Sequence, residues 1–357
     1  MSTTPPTNRL PPRGPAVRGG LLALTAAVLF GVSTPLVQRF GFGVGAFATA
    51  ALLYMGAAAA GALLRQRVEH EARILSGDFP RLLAMAAAGA VIGPVALAWG
   101  LQRTGATSAS LMLTLEAVFT AVLAWRMYHE TMDRRVWTAM LLLMVGGALL
   151  ILNQGRDGGA GMWGLLAVLL ATAAWGLDNT LSRTLAERDP GQVVLAKAVL
   201  GATTTSMLAV SFGESLPTLG AALGLFAVGA TGYGLSLRFY LLAQRAFGAT
   251  RTGSVFAFAP FIGAALAVAL GDQSISWLLA AGSMLMLAGV VLHLIESHGH
   301  EHAHDVMEHE HSHRHDDGHH CHVHDPMPTG AHSHRHRHES LWHAHPHVPD
   351  AHHAHRH

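Results

Sequence analysis

Long apolar stretches alternate with short polar connections between residues 20 and 296, and the pattern then changes to a polar, histidine-rich segment. The apolar stretches approach the length of about 20 residues that a helix needs to cross a bilayer. The pattern predicts ten spanning helices, at residues 20–38, 42–64, 82–101, 106–126, 136–153, 161–180, 191–212, 218–241, 250–271 and 275–296. We therefore predict an all-α membrane protein, with a disordered segment at residues 1–19 and a disordered His-rich tail at residues 297–357.

The ten predicted spans divide into two similar sets of five, at residues 20–153 and 161–296. Phe30-Gly31-Val32-Ser33-Thr34 aligns with Trp175-Gly176-Leu177-Asp178-Asn179, Gly105-Ala106-Thr107 with Gly248-Ala249-Thr250, and His129-Glu130 with Gly271-Asp272. Because five is an odd number, the second set must enter the membrane from the opposite side. Inverted repeats of this kind are typical of secondary transporters, in which two similar halves enclose a central site.

The distribution of arginine predicts the orientation. Among the arginines near the predicted spans, only Arg39, Arg103 and Arg156 fall on the side opposite the N-terminus. Since basic residues accumulate on the cytoplasmic side, both termini are predicted to be cytoplasmic in a multi-pass protein of the cell membrane.

At the repeated residues the chain resembles the EamA family of the drug/metabolite transporter superfamily. The resemblance rests on Leu29 to Pro35, on Gly105 to Phe119, on the closing Glu130, and in the second half on Trp175-Gly176 and the stretch from Gly248 to Asp272. The family pattern has proline at the position of Ala117 and usually glutamate at that of Asp272. The resemblance implies ten spans, cytoplasmic termini and export of small metabolites or drugs.

Few ionisable side chains fall inside the predicted spans, where such groups are costly and often functional. Glu116 lies in the middle of the fourth span and could carry a coupling proton; a hydrogen-bonded Glu116 that only faces another helix is an equal alternative. Asp178 and Lys197 lie at similar depth in the sixth and seventh spans. We favour an ion pair that holds these helices together over a contact with substrate or a proton.

Other polar or aromatic side chains of the spans could line a cavity, and they are Ser33, Trp99, Asn179 and Tyr233. Proline interrupts the hydrogen bonding of a helix, so Pro35, Pro94 and Pro260 predict breaks in the first, third and ninth spans. Broken helices often line the site of a transporter. Gly89 and Gly93 form a small-xxx-small pair that favours close helix packing.

The tail contains 23 of the 26 histidines of the chain. Imidazole binds Zn, Ni, Co and Cu, and the one cysteine adds a ligand for softer ions. Alternate residues of an extended chain point the same way, so neighbouring histidines could share an ion. The candidate ligands are His298, His300, His302, His304, His309, His311, His313, His315, His319, His320, Cys321, His322 and His324.

Three functions follow from these patterns. The first is a secondary exporter of a small metabolite or drug, with metal acting on the tail. The second is a carrier for Ni, Co or Zn efflux whose tail gathers the ion at the cytoplasmic mouth, and the third is a membrane-anchored metal buffer. The expected partners are the lipid bilayer, a small-molecule substrate and transition-metal ions, with a homodimer left open. We predict no enzyme, no required cofactor and no nucleic-acid partner, because no nucleotide loop or catalytic motif is present in the sequence.

Overall fold

The computed structural model describes residues 13–64, 74–128, 132, 134–156, 159–182, 185, 188–247, 249–272, 276–294, 298–303, 307–313, 332–338 and 342–347. The described chain is helical up to residue 294. The α-helices are α1 (Arg13–Gly41), α2 (Ala46–Leu63), α3 (Phe79–Met85), α4 (Gly93–Leu101), α5 (Ala106–Met112), α6 (Glu116–Tyr128), α7 (Arg134–Arg156), α8 (Gly159–Ser182), α9 (Pro190–Ser211), α10 (Leu219–Val228), α11 (Ser236–Phe247), α12 (Ala249–Phe256), α13 (Ala259–Ala269) and α14 (Trp277–Leu294).

These helices combine into ten apolar segments that are long enough to cross a membrane, in the part of the chain that the structure describes. They are Val17–Gly41, Ala46–Leu63, Ser76–Leu101, Ala106–Tyr128, Arg134–Gln154, Gly159–Ser182, Gly191–Ser211, Leu219–Ala243, Thr252–Ala269 and Trp277–Leu294. The predicted number of spans is confirmed. The third span begins earlier than predicted, and α1 begins at Arg13, inside the segment predicted to be disordered.

Ten crossings return the chain to the side on which it began. We call the side where the first span begins and the tenth ends the terminal face, and the opposite side the distal face. The described parts of the distal connections are residues 42–45, 102–105, 155–156, 212–218, 270–272 and 276.

The interruptions of the spans follow the repeat. A π-helical segment at Ala86–Ile92 in the third span has its counterpart at Gly229–Leu235 in the eighth. A 3-10 turn at Leu113–Leu115 divides the fourth span, and a turn at residues 257–258 divides the ninth. The two π segments, and the last residues of the two turns, are offset by the same number of residues as Gly105 and Gly248, which supports the predicted duplication.

Two of the three predicted proline breaks are found at or next to the proline. Pro260 lies at the start of α13, directly after the turn, and Pro94 lies at the start of α4, directly after the π segment. Pro35, in contrast, lies inside α1, which continues without interruption. A residue other than proline at position 35 could donate a backbone hydrogen bond to the carbonyl of Gly31. Here that carbonyl lies against Gly263, and a β-carbon on Gly263 would come within 2.6 Å of its oxygen.

Glycine allows the two repeats to pack backbone to backbone. A β-carbon on Gly56 would lie 2.1 Å from the carbonyl oxygen of Phe226, and one on Gly229 would lie 2.0 Å from that of Leu53. The second and eighth spans therefore touch at a distance that only glycine permits. This is the small-residue packing that stabilises helix pairs in membranes.

The described parts of the tail form four short strands, β1 (His298–Ala303), β2 (Met307–His313), β3 (His332–His338) and β4 (Trp342–His347). Strand β1 pairs antiparallel with β4, and β2 pairs antiparallel with β3. These stretches are extended and paired, which differs from the predicted disorder. A period of two in histidine and polar residues is compatible with a strand, although it contains too few apolar residues to predict one.

Candidate functional site

The candidate site is built around the carboxylate of Glu116, which opens α6 directly after the break in the fourth span. Its Oε1 atom accepts a hydrogen bond from the side-chain amide of Asn179, at 2.5 Å. Glu116 is partly buried and Asn179 is exposed, so neither side chain is fully enclosed by the protein.

Next to Asn179 on the same helix, Asp178 forms an ion pair with Lys197 of α9. The side chain of Asp178 is 6% exposed and that of Lys197 is 17% exposed, so the pair is largely removed from solvent. The contact between the sixth and seventh spans agrees with the predicted pair. One carboxylate oxygen, Oδ1, is buried without a hydrogen-bond partner among the described atoms.

The π-helical segment of the third span supplies a backbone group to the same region. The carbonyl of Gly89 accepts one hydrogen bond from the hydroxyl of Tyr54, at 2.5 Å, and another from the indole of Trp175, at 3.0 Å. A β-carbon on Gly89 would lie 2.1 Å from Oδ2 of Asp178, and one on Gly93 would lie 2.6 Å from the indole nitrogen. The small-xxx-small pair therefore provides packing, as predicted, and it packs against site side chains.

An aromatic cluster of Phe30, Tyr54, Trp175, Tyr233 and Phe256 lies beside these polar groups. The ring of Phe30 contacts those of Trp175, Tyr233 and Phe256, with centroids 6.5, 6.0 and 5.3 Å apart, and the ring of Tyr54 contacts that of Tyr233 at 5.9 Å. The cluster draws on both repeats. It gives the site an apolar aromatic wall next to a carboxylate, an amide and an ion pair.

Two of the predicted cavity residues contact this region, and a third lies elsewhere. Tyr233 belongs to the aromatic cluster, and Ser33, which is buried, lies against Gly232 and donates a hydrogen bond to the carbonyl of Phe30 at 2.6 Å. Trp99 is partly exposed and its ring packs against the guanidinium of Arg103, 3.7 Å from the ring centroid, near the distal end of the third span. That contact is typical of an interfacial anchor.

Sequence reasoning missed Tyr54, the Phe30 ring and the carbonyl of Gly89. Tyr54 is one of only four tyrosines in the chain, and a tyrosine in the middle of an alanine-rich span was a usable signal. The role of Gly89 had no signal in the sequence, because a π-helical turn leaves no mark in hydropathy. Glu130 lies outside the described residues, as do His304, His315, His319, His320, Cys321, His322 and His324 of the tail.

Among the described residues, no group of three or more His, Cys, Asp or Glu side chains is arranged to hold a metal ion. This holds for the described strands of the tail as well, so metal binding by the tail stays a prediction. There the backbone register places His300 of β1 opposite His345, and His309 of β2 opposite His336.

The chain is similar to several known proteins. It is 27% identical over 243 residues to an uncharacterized transporter of Methanothermobacter thermautotrophicus, an alignment that covers 64% of this chain and 68% of the relative. A solved crystal structure superimposes with a TM-score of 0.56 at 18% identity, covering 78% of this chain and 97% of that one, which shows a shared fold. The model of the EamA-like transporter family matches residues 17–153 and 162–295, close to the two predicted repeats. The chain is thus a multi-pass membrane protein that belongs to the EamA-like transporter family.

Proposed function

We propose that the protein exports a small organic metabolite or drug in exchange for protons, with Glu116 as the proton-carrying group. The main support is the hydrogen bond from Asn179 to a partly exposed carboxylate that begins a broken helix. A carboxylate in this position can take up a proton while the site is open to one side of the membrane and release it when the site is open to the other side. Broken helices hold coupling ions in other secondary transporters.

The charges of the site support this assignment. When all three groups are ionised, Glu116, Asp178 and Lys197 carry one net negative charge. Lys197 is already paired with Asp178, so the charge of Glu116 is the one left to be compensated. Carrying an uncompensated charge through the low-dielectric interior is costly, and a bound proton or a cationic part of the substrate removes that cost.

The substrate is proposed to lie against the aromatic cluster and to hydrogen-bond Asn179. Ligand sites are mostly apolar, with a few polar groups that fix orientation, and the cluster has this composition. In the orientation that the arginines predict, the terminal face is cytoplasmic, and Asn179 near the end of α8 lies on that side.

The test is proton-driven flux in proteoliposomes with Glu116→Gln and, as a matched control, Asn179→Ala. The glutamine cannot titrate, so flux driven by a pH gradient should be lost. The alanine removes the hydrogen bond and keeps the titrating group, so coupled flux should continue with altered substrate affinity. Gradient-driven flux that survives in Glu116→Gln rules out Glu116 as the coupling group.

The second function, efflux of Ni, Co or Zn, is favoured by one observation, the opposed histidines in the tail strands. We propose that the tail binds such ions near the terminal face, either as a buffer or sensor or to feed metal to the transport path. Deleting residues 297–357 and measuring metal tolerance beside secretion of organic metabolites separates these roles. Metal sensitivity in a full knockout, reproduced in part by the deletion, supports metal efflux; unchanged tolerance with altered secretion supports the organic substrate.

A further inference from the structure

On the distal face, two helices of the first repeat begin without a capping side chain of their own. The residue before α2 is Gly45 and the residue before α5 is Gly105, and neither makes a side-chain cap. The first backbone N–H groups of a helix have no partner within the helix and need an acceptor. In both helices the acceptor comes from the other repeat.

Glu214, in the connection between α9 and α10, caps α2. Its two carboxylate oxygens accept hydrogen bonds from the backbone N–H groups of Phe47 and Ala48, at 3.1 and 2.7 Å. The rings of Phe47 and Phe212 stack beside it, with centroids 5.1 Å apart. This contact joins the first repeat to the second at the distal face.

Asp272, at the distal end of the ninth span, caps the start of the fourth span. Its Oδ2 atom accepts a hydrogen bond from the backbone N–H of Thr107, at 2.7 Å. Directly below the cap, α5 packs against α13, and a β-carbon on Gly263 would lie 2.9 Å from the hydroxyl oxygen of Ser110. Toward the terminal face the same two spans have different neighbours, since α6 packs on α8 whereas α12 packs on α1 and α11.

Two helices of the second repeat have caps that come from within that repeat. Thr218 caps α10 by accepting a hydrogen bond from the N–H of Ala221, and Asp189 caps α9 through Gly191 and Gln192. These bonds stay within one repeat. Among the described helix caps, those made by Glu214 and Asp272 are therefore distinguished by joining the two repeats.

We propose that Glu214 and Asp272 control the opening of the protein at the distal face. Each acts as a latch, by which we mean a contact that holds the two repeats together at this face while the site is closed to that side. The proposal rests on the transport function and names the residues that control one of its steps. When the protein opens at this face, water can replace each carboxylate at the freed N–H groups, so a latch biases the closed state without making it permanent. A helix cap of this kind changes an equilibrium by about 2- to 30-fold.

The test uses a cysteine as a reporter of opening at the distal face. Ser110 of α5 is buried and lies against Gly263 of α13. Ser110→Cys should therefore react with a membrane-impermeant thiol reagent only when these two helices move apart. Cys321, the only native cysteine, is first replaced by serine. The labelling rate is measured with reagent applied from the distal face, in vesicles of known orientation.

Asp272→Ala and Glu214→Ala should each raise the labelling rate by about 2- to 30-fold. Asp272→Glu should restore the slow rate, and Asp272→Asn, which keeps an acceptor oxygen without the charge, should give an intermediate rate. Thr218→Ala is the matched control, because it removes a cap on the same face within one repeat and should leave the rate unchanged.

Gly45→Ala tests the latch of Glu214 without changing the carboxylate. Gly45 has φ −56° and ψ 150°, which alanine also adopts. The new β-carbon would lie 2.1 Å from the carboxyl carbon of Glu214, so it must displace the cap. Its labelling rate should match that of Glu214→Ala.

A second reporter, Asn179→Cys, separates gating from general loosening. If the latches bias alternating access, its labelling from the terminal face should fall as that of Ser110→Cys rises. Unchanged rates in the Asp272 and Glu214 variants, or equal increases at both reporters, overturn the proposal. Labelling needs no substrate, so reciprocal changes in a protein that moves no solute would support the latch while refuting the proposed transport function.

Discussion

The ion pair between Asp178 and Lys197 allows a quantitative test of what holds the sixth and seventh spans together. Lys197→Met keeps the length of the side chain and removes its charge. The side chain of Asp178 is 6% exposed, so the variant leaves a carboxylate buried without its partner. Removing one member of a buried pair costs about 3 to 5 kcal/mol, and we expect a loss of stability in that range.

The double variant Asp178→Asn with Lys197→Met should recover most of this loss. Neither group is then charged, and neutral replacement of a buried pair is often close to neutral for stability. The double-mutant cycle should therefore give an interaction free energy at least as large as the part of the loss that the second change recovers, about 2 kcal/mol or more. Reversible unfolding in mixed micelles measures the four free energies of unfolding.

The result that refutes this reasoning is a loss below about 1 kcal/mol for Lys197→Met together with additive effects, which is the behaviour of an exposed pair. Transport by the double variant then decides between structure and function. Normal transport shows that the pair is structural, whereas a stable protein without transport shows that the charges contact substrate or a proton. A charge swap is a poorer test, because Gly89 lies against Asp178 and leaves no room for a lysine stem.

Three further predictions concern packing, the shared carbonyl and the tail. Gly229→Ala places a β-carbon 2.0 Å from the backbone of Leu53 and should lower the free energy of unfolding by about 1 to 3 kcal/mol; Gly220→Ala, where nothing lies within 4 Å, should not lower it in the same assay. Tyr54→Phe and Trp175→Phe each remove one of the two donors to the carbonyl of Gly89. Tyr54→Phe should cost about 1 kcal/mol or less, and Trp175→Phe should cost more, because the smaller ring also leaves a cavity in the core. The two changes together should cost more than the sum, because the last donor is then lost. Deleting residues 297–357 should abolish high-capacity zinc binding, measured by calorimetry on purified protein, and should leave transport of the organic substrate unchanged in metal-free buffer.

The number of spans could be predicted because hydropathy over about 20 residues is a strong signal. The start of the third span was placed too late because Asp78 and Arg81 interrupt the apolar run. In the structure Asp78 is buried and forms an ion pair with Arg188, 2.8 Å apart. A charge whose partner lies far along the chain is not visible to a local window.

The candidate site was predictable in its ionisable groups and not in their partners. Glu116, Asp178 and Lys197 stand out because charged residues are rare in spans. The bond between Asn179 and Glu116 joins residues that are far apart in sequence, and no local pattern predicts it. The same reason hides the caps of Glu214 and Asp272, since a glycine before a helix shows only that a cap is missing and not which residue provides it.

Proline accompanies the interruptions of the third and ninth spans but does not explain those of the fourth and eighth. The fourth span breaks at Leu113–Leu115 and the eighth contains the π segment Gly229–Leu235, and neither segment contains proline. The breaks match between the repeats instead, and in the first repeat they lie beside Glu116 and contain Gly89. An irregular helix leaves backbone groups unsatisfied and is tolerated in a membrane only where other groups or water satisfy them. Gly89 meets this condition through the donors Tyr54 and Trp175, and its matching position in the second repeat, Gly232, lies against Ser33 instead. The two repeats therefore share the backbone irregularity and differ in the side chains around it. The polar groups of the site lie near the breaks of the first repeat, whereas the matching π segment of the second repeat serves helix packing.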